Sequence, residues 1–158
     1  MEIQKAEKAH IQELVLLNSF VQEKHHKNHP QIFKTPSDSQ SEAKVFFETL
    51  FKKVNNFIYI AYKNMKPAGY IWFTLDIISE NAFKFERKRI YIHQIVVHEE
   101  FRQQSIGRNL FQKSVEVARK NKIKSIEVDF WSFNSDSKGF FQRQGFKVYN
   151  SKMWYEVV

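Results

Sequence analysis

One stretch restricts this chain more than any other: an apolar strand that ends in a basic turn and runs straight into an amphipathic helix. Ile90 to Val97 is apolar on both faces, as a strand covered from both sides should be. It passes through His98-Glu99-Glu100-Phe101 into Arg102-Gln103-Gln104-Ser105-Ile106-Gly107-Arg108. From Ile106 to Arg119, at about 100° per residue, Ile106, Leu110, Phe111, Ser114, Val115, Val117 and Ala118 fill one half of the helical wheel. Arg108, Asn109, Gln112, Lys113, Glu116, Arg119 and Lys120 fill the other half. A turn that presents successive backbone N–H groups at a helix N-terminus is an anion site. Gly107 lets a ligand come close to the backbone, while Arg102 and Arg108 add charge.

The remaining pattern supplies layers around that unit. Apolar residues at helical spacing from Ala9 to about Glu23 predict a helix. His25 to Pro36 reads as a polar loop broken by Pro30 and Pro36, and Ser41 to Phe51 as a second helix. Strands are expected at Asn56–Tyr62 and Gly69–Ile78, and at Ser125–Trp131, where Ile126, Val128 and Phe130 alternate with Glu127 and Asp129. Ser135–Gln144 fits a short helix closed by Gly145 as a left-handed cap, and Lys147–Tyr149 and Met153–Val157 read as the last strands. The expected order, counting a first strand at the N-terminus, is strand, two helices, three strands, helix, strand, helix and two strands. That order defines one α/β (α+β) domain over residues 1–158 with a mixed, mostly antiparallel sheet of about seven strands flanked by about four helices.

With 42% hydrophobic residues and sixteen Phe, the chain can bury a real core. It contains no Cys, which removes disulfides, zinc-thiolate sites and cysteine nucleophiles together. A net charge of +8 calls for an anionic partner, for which nucleic acid and a polyanionic cofactor such as coenzyme A both qualify. The N-terminus lacks the apolar core of a signal peptide and no apolar run reaches membrane-span length, so a cytoplasmic location is the default expectation.

The segment Val97 to Gly107 resembles the pyrophosphate-loop motif Arg/Gln-x-x-Gly-x-Gly/Ala of the GNAT superfamily of acyl-CoA-dependent N-acetyltransferases. A second signature of that family, an Asn that leads at fixed spacing to a small residue, an aromatic pair and Gly-Phe, resembles Asn134-Ser135-Asp136-Ser137-Lys138-Gly139-Phe140-Phe141-Gln142-Arg143-Gln144-Gly145-Phe146. The two motifs cover the second half of the chain; the first half is similar only in element order. The resemblance implies a GNAT-like fold in which acetyl-CoA lies in a V-shaped opening beside the strand that ends at Val97. It implies that Ile95, Val96 and Val97 face the pantetheine arm, and that Arg102, Gln103, Gln104, Ser105, Ile106, Gly107 and Arg108 wrap the pyrophosphate. It likewise places Asn134 on the pantetheine, Ser137, Phe140 and Phe141 by the thioester, and Arg143 near the nucleotide phosphates. Two positions depart from the family pattern. Ser105 stands where the motif has its first glycine, and Phe141 stands where many relatives carry a tyrosine that protonates the leaving thiolate. A phenyl ring has no proton to donate.

His93, four residues before Val97, stands where relatives often carry a glutamate base; a histidine accepts a proton at neutral pH. Tyr91 is the second candidate base, and Tyr149 is the candidate acid in place of Phe141, with Tyr155 the other tyrosine nearby in sequence. Direct attack by the amine is expected, because no cysteine or Ser/His/Asp arrangement is legible. His25, His26 and His29 suggest a metal site, but their spacing puts at most two on one helical face and no carboxylate completes a ligand set, so no metal is expected. Trp72, Phe73 and Trp131 are candidates for an apolar acceptor pocket. The expected partners are acetyl-CoA and an amine-bearing acceptor, with no membrane, no nucleic acid expected, and a homodimer left open. Two alternatives stay beside this reading: a GNAT-like acyl-CoA binder with little catalysis, motivated by Phe141, and a basic nucleic-acid-binding domain, whose best support is Phe83 to Arg89.

Overall fold

A computed structural model describes residues 1–157. Nine elements follow in order: β1 (Glu2–Lys5), α1 (Ile11–Asn28), α2 (Pro36–Leu50), β2 (Asn56–Lys63), β3 (Lys66–Ile78), β4 (Arg87–Val97), α3 (Ile106–Lys120), β5 (Ile126–Val128) and α4 (Ser135–Arg143). The five strands form one sheet in the order β1-β2-β3-β4-β5. All neighbours are antiparallel except β4 and β5, which are parallel.

Each face of the sheet carries its own core. On one side Ile71 and Phe73 of β3 and Ile90 and Ile92 of β4 pack with Leu110, Phe111 and Val117 of α3 and with Phe141 of α4. On the other side Ile58, Ile60, Tyr70 and Val96 pack with Leu14 and Leu17 of α1 and with Phe47 and Leu50 of α2. In β4 the switch from even-numbered to odd-numbered inward residues has a local cause. Trp72 pairs with Gln94 and Phe73 with Ile92, so His93 is an extra residue with no partner, a β-bulge. Before the bulge Ile90 and Ile92 face α3, and after it Ile95 and Val97 do.

The structure corrects several expected boundaries. α1 runs on to Asn28, so His25 and His26 are helical; the His25 ring contacts Val21 O four residues back and packs edge-on against Phe33 and Phe133. α2 begins at Pro36 rather than Ser41, because Thr35 caps the Asp38 N–H at 3.1 Å and proline suits the first turn. β5 is three residues long rather than seven, and Lys147–Tyr149 and Met153–Val157 form no strands, so the sheet has five strands and not about seven. Alternation makes a strand only where an edge offers a ladder. β5 offers just Ile126–Val128, and Tyr149 reaches it by a side-chain bond to Glu127 instead. Gly145 closes α4 at φ 94°, as its position predicts.

Gly69 marks how closely β3, β4 and α3 approach. A Cβ at this position lies 2.4 Å from Val96 O and 3.4 Å from the Leu110 side chain. Gly69→Ala is therefore expected to lower the free energy of unfolding by about 1–3 kcal/mol in denaturant titration, the usual cost of overpacking. Wild-type stability in that variant would show that β4 can move away freely.

Candidate active site

Pairing between β4 and β5 ends at Ile92 and Val128. Beyond that point the strands separate, and the outer edge of β4 from His93 to Val97 faces a cleft of about 1000 Å³. Residues of α1, β4, the Arg102–Arg108 turn, the β5–α4 connection and α4 line it.

The turn at the head of α3 meets the requirements of an anion site. Ser105 is the N-cap of α3 and its side chain makes no capping bond. The N–H groups from Gln103 to Arg108 have no acceptor among the described residues. Arg102 and Arg108 line the cleft beside them, with Arg143 contributed by α4. Unsatisfied N–H groups at a helix N-terminus, together with guanidinium groups, favour a phosphate ligand. The backbone strain of the turn sits at Gln103 and Ser105. Gln103 and Ser105 adopt left-handed conformations at φ 59° and 62°, whereas Gly107 lies in the helix. Ser105 thus occupies a position that favours glycine. Gly107 answers a packing need: a Cβ there meets Phe140 at 3.1 Å and Val97 at 3.5 Å, so glycine lets α3 close against β4 and α4.

Of the residues expected to bind the cofactor or to carry the proton transfers, Gln104, Tyr149 and Tyr155 do not line this cleft and the others do. Gln104 points outward to Lys63 and to Glu100 O. Tyr149 is 74% exposed and donates to Glu127 Oε2 at 3.1 Å, outside the cleft lining, so the structure does not bring it to the leaving group. Asn134 caps α4 by accepting from Ser137 N, and the same oxygen takes a 2.9 Å bond from Lys24 of α1. Phe141 is 4% exposed, with its ring packed against Phe140 and Phe146. Of the proposed acceptor aromatics, Trp131 lines the cleft, Trp72 lies beneath His93, and Phe73 is buried in the core.

His93 stacks on Trp72 at 4.1 Å and meets Tyr91 edge-on at 4.8 Å. Its Nε2 lies 3.0 Å from Thr74 Oγ1. With that nitrogen carrying the proton, Nδ1 keeps a lone pair. Burial disfavours the imidazolium and holds the His93 pKa below the ordinary histidine value, with Asp76 acting in the opposite direction. Tyr91 donates to Asp129 Oδ2 at 2.6 Å; burial and that carboxylate push its pKa up to about 12, so it keeps its proton. His25, Lys24, Asp129 and Gln94 also line the cleft and were not identified from sequence as site residues. The histidine run flagged the first of these; nothing local marks Gln94. His25 packs among aromatic rings, and no three His, Asp or Glu converge as a metal site among the described residues. The Phe83–Arg89 segment sits away from the cleft on the β3–β4 connection, with Arg87 and Arg89 held by Glu127.

The separation of the parallel strands β4 and β5 and the free N–H turn give this α/β domain an open cleft along a sheet edge. The sequence matches the model of the acetyltransferase (GNAT) family over residues 19–146. The chain belongs to that family. It is 29% identical over 105 residues to an uncharacterised N-acetyltransferase of Methanocaldococcus jannaschii, an alignment that spans 66% of this chain and 45% of that protein. The chain therefore covers less than half the length of that curated relative. A mutant of the BH1408 protein of Bacillus halodurans shares the fold with a TM-score of 0.91 over 100% of both chains, at 23% identity. The aminoglycoside N-acetyltransferase AAC(6')-Iy in complex with CoA does so with a TM-score of 0.72 over 99% of both chains, at 14% identity. No helix among the described residues is long and apolar enough to cross a membrane.

The left-handed conformation of Ser105 generates a direct test. Ser105→Gly removes the cost of a side chain at φ 62°, about 1 kcal/mol, and gives back part of it as extra freedom of the unfolded chain. Its unfolding free energy is expected to equal or exceed the wild-type value. A clear loss of stability would mean that the Ser105 hydroxyl holds the turn.

Proposed function

We propose that this chain transfers an acetyl group from acetyl-CoA to a primary amine of a small molecule or peptide by direct attack. The observation that carries this reading is the end of β4–β5 pairing at Ile92 and Val128, beside a helix N-terminus whose N–H groups are free. The unpaired edge of β4 has the backbone groups that a pantetheine arm needs, and the turn has the charge and donors for a pyrophosphate. Family membership supports the donor. The acceptor class of the aminoglycoside enzyme is a property of that protein.

In this scheme the amine nitrogen attacks the thioester carbon, a C–N bond forms, and the C–S bond breaks. His93 takes the proton that nitrogen sheds and passes it to water in the cleft. Phe141 has no hydroxyl, so CoA leaves as a thiolate and takes its proton from solvent. A cofactor binder without turnover is the second reading, and Phe141 is the observation behind it.

Acetyl-CoA at a hundredfold excess over its Kd is expected to stabilise the fold by about 2.7 kcal/mol. Thermal melting measures this, and an unchanged Tm at millimolar acetyl-CoA overturns the reading. Gly107→Val should fold yet lose that stabilisation, because the added carbons press on Phe140 and Val97, which line the cleft. Turnover on an amine panel then separates the enzyme from the binder.

Partial desolvation of the His93 ring, which lies stacked on Trp72, sets the sign of the pH dependence. Its folded pKa is depressed, so the neutral base persists as pH falls through the ordinary histidine range and is lost only below it. With rates expressed per free amine, kcat/KM should show its acidic limb below pH 6.5, the ordinary histidine value. His93→Ala should remove the limb and about 10²–10⁴-fold of the rate. An unaltered profile in that variant assigns the limb to another group.

A further inference from the structure

The β4 bulge does more than switch the core-facing residues. In a regular strand His93 and Gln94 would point to opposite faces. Here His93 lies on Trp72 and Gln94 bonds Tyr70, and these two β3 residues share the face covered by α1 and α2. A proton acceptor and an amide therefore stand side by side on one face, on adjacent Cα atoms about 3.8 Å apart.

The amide is held in one orientation. Gln94 Oε1 accepts from the hydroxyl of fully buried Tyr70 at 2.6 Å and from Asn18 Nδ2 of α1 at 3.2 Å. Asn18 Nδ2 also donates to Tyr70 OH at 3.1 Å. Flipping the amide would set its NH2 against the Asn18 NH2, donor against donor. The Nε2 group has no protein partner, and no buried side-chain polar atom is left unsatisfied among the described residues, so Nε2 opens onto the cleft that Gln94 lines.

The two substrates of the proposed reaction enter from different sides. The anion turn and α4 place the cofactor toward the α3 face, which leaves the α1/α2 face for the acceptor. The geometry points to Gln94 as the acceptor-selecting residue, its N–H groups donating to an oxygen two bonds from the carbon that bears the reacting amine. The class that fits is an α-amino carbonyl compound, an amino-acid amide or a peptide N-terminus. A neutral donor matches a neutral carbonyl, and Asp129 at the apex of the opening disfavours a second carboxylate. Phe33 and Trp131, whose rings lie 5.0 Å apart in the cleft wall, suit an apolar side chain on that acceptor. Asn18 and Tyr70 act as positioning residues through Gln94. This inference rests on the acetyl-transfer reading above.

The test compares L-phenylalaninamide with 2-phenylethylamine, which differ only by the carboxamide, with rates corrected to the free-base fraction of each. Wild-type protein should prefer the amide. Gln94→Met keeps the length and removes the donors, and should lower the ratio of the two kcat/KM values about tenfold, about 1.4 kcal/mol. Tyr70→Phe, which leaves Asn18 to hold Oε1, should lower the ratio less, through KM of the amide rather than kcat. Acetyl-CoA melting shifts should match wild type in both variants. An unchanged ratio in folded Gln94→Met overturns the inference, as does turnover of free phenylalanine in preference to its amide. Wild-type protein that binds acetyl-CoA but acetylates neither amine overturns the acceptor class alone. Absence of any acetyl-CoA melting shift overturns the reading beneath it, and this inference falls with it.

Discussion

The functional architecture depends on one broken ladder. β4 has partners on both edges from Ile90 to Ile92 and then loses β5. A strand edge inside a domain carries unpaired N–H and C=O groups, which need water or a ligand. β4 stays bonded to β3 on both sides of the bulge and packs against both cores, which holds the open edge in place. The opening is thus built into the sheet itself. At its mouth Lys24 ties α1 to Asn134 and Asp136 of α4.

The bulge at His93 lies beside the point where the ladder breaks, and its consequences reach both cores. Without the extra residue, either Ile90 and Ile92 or Ile95 and Val97 would face the wrong layer. With it, the strand keeps both apolar pairs toward α3 and turns two polar side chains toward α1. Sheet chemistry and core packing are satisfied by the same irregularity.

Much of this was legible locally. The helix at Ile106, the basic turn before it and the left-handed cap at Gly145 each rest on contacts within a few residues, so periodicity and turn chemistry suffice to place them. The start of α2 was equally local; the Thr35–Pro36–Asp38 cap was present in the chain and outweighed the apolar pattern that pointed to Ser41. The end of α1 was less accessible, since His25 stays helical among rings from Phe33, Trp131 and Phe133, two of them more than a hundred residues away. The tail strands failed for the same kind of reason. Their aromatic and β-branched residues suit a strand, but a ladder partner is a tertiary fact.

By itself the amino-acid sequence determined the layer class, the order of the elements from β1 to α4, the basic turn ahead of α3, and about half of the residues that line the cleft. These follow from period, capping and charge, which act over short stretches of chain. Only the tertiary structure decided that Ser105 rather than Gly107 takes the left-handed conformation, that Tyr149 stays outside the cleft, and that Gln94 joins His93 on one face. The last of these depends on the register between β3 and β4. A one-residue slip reverses every side chain that follows, and no local pattern in β4 records the slip.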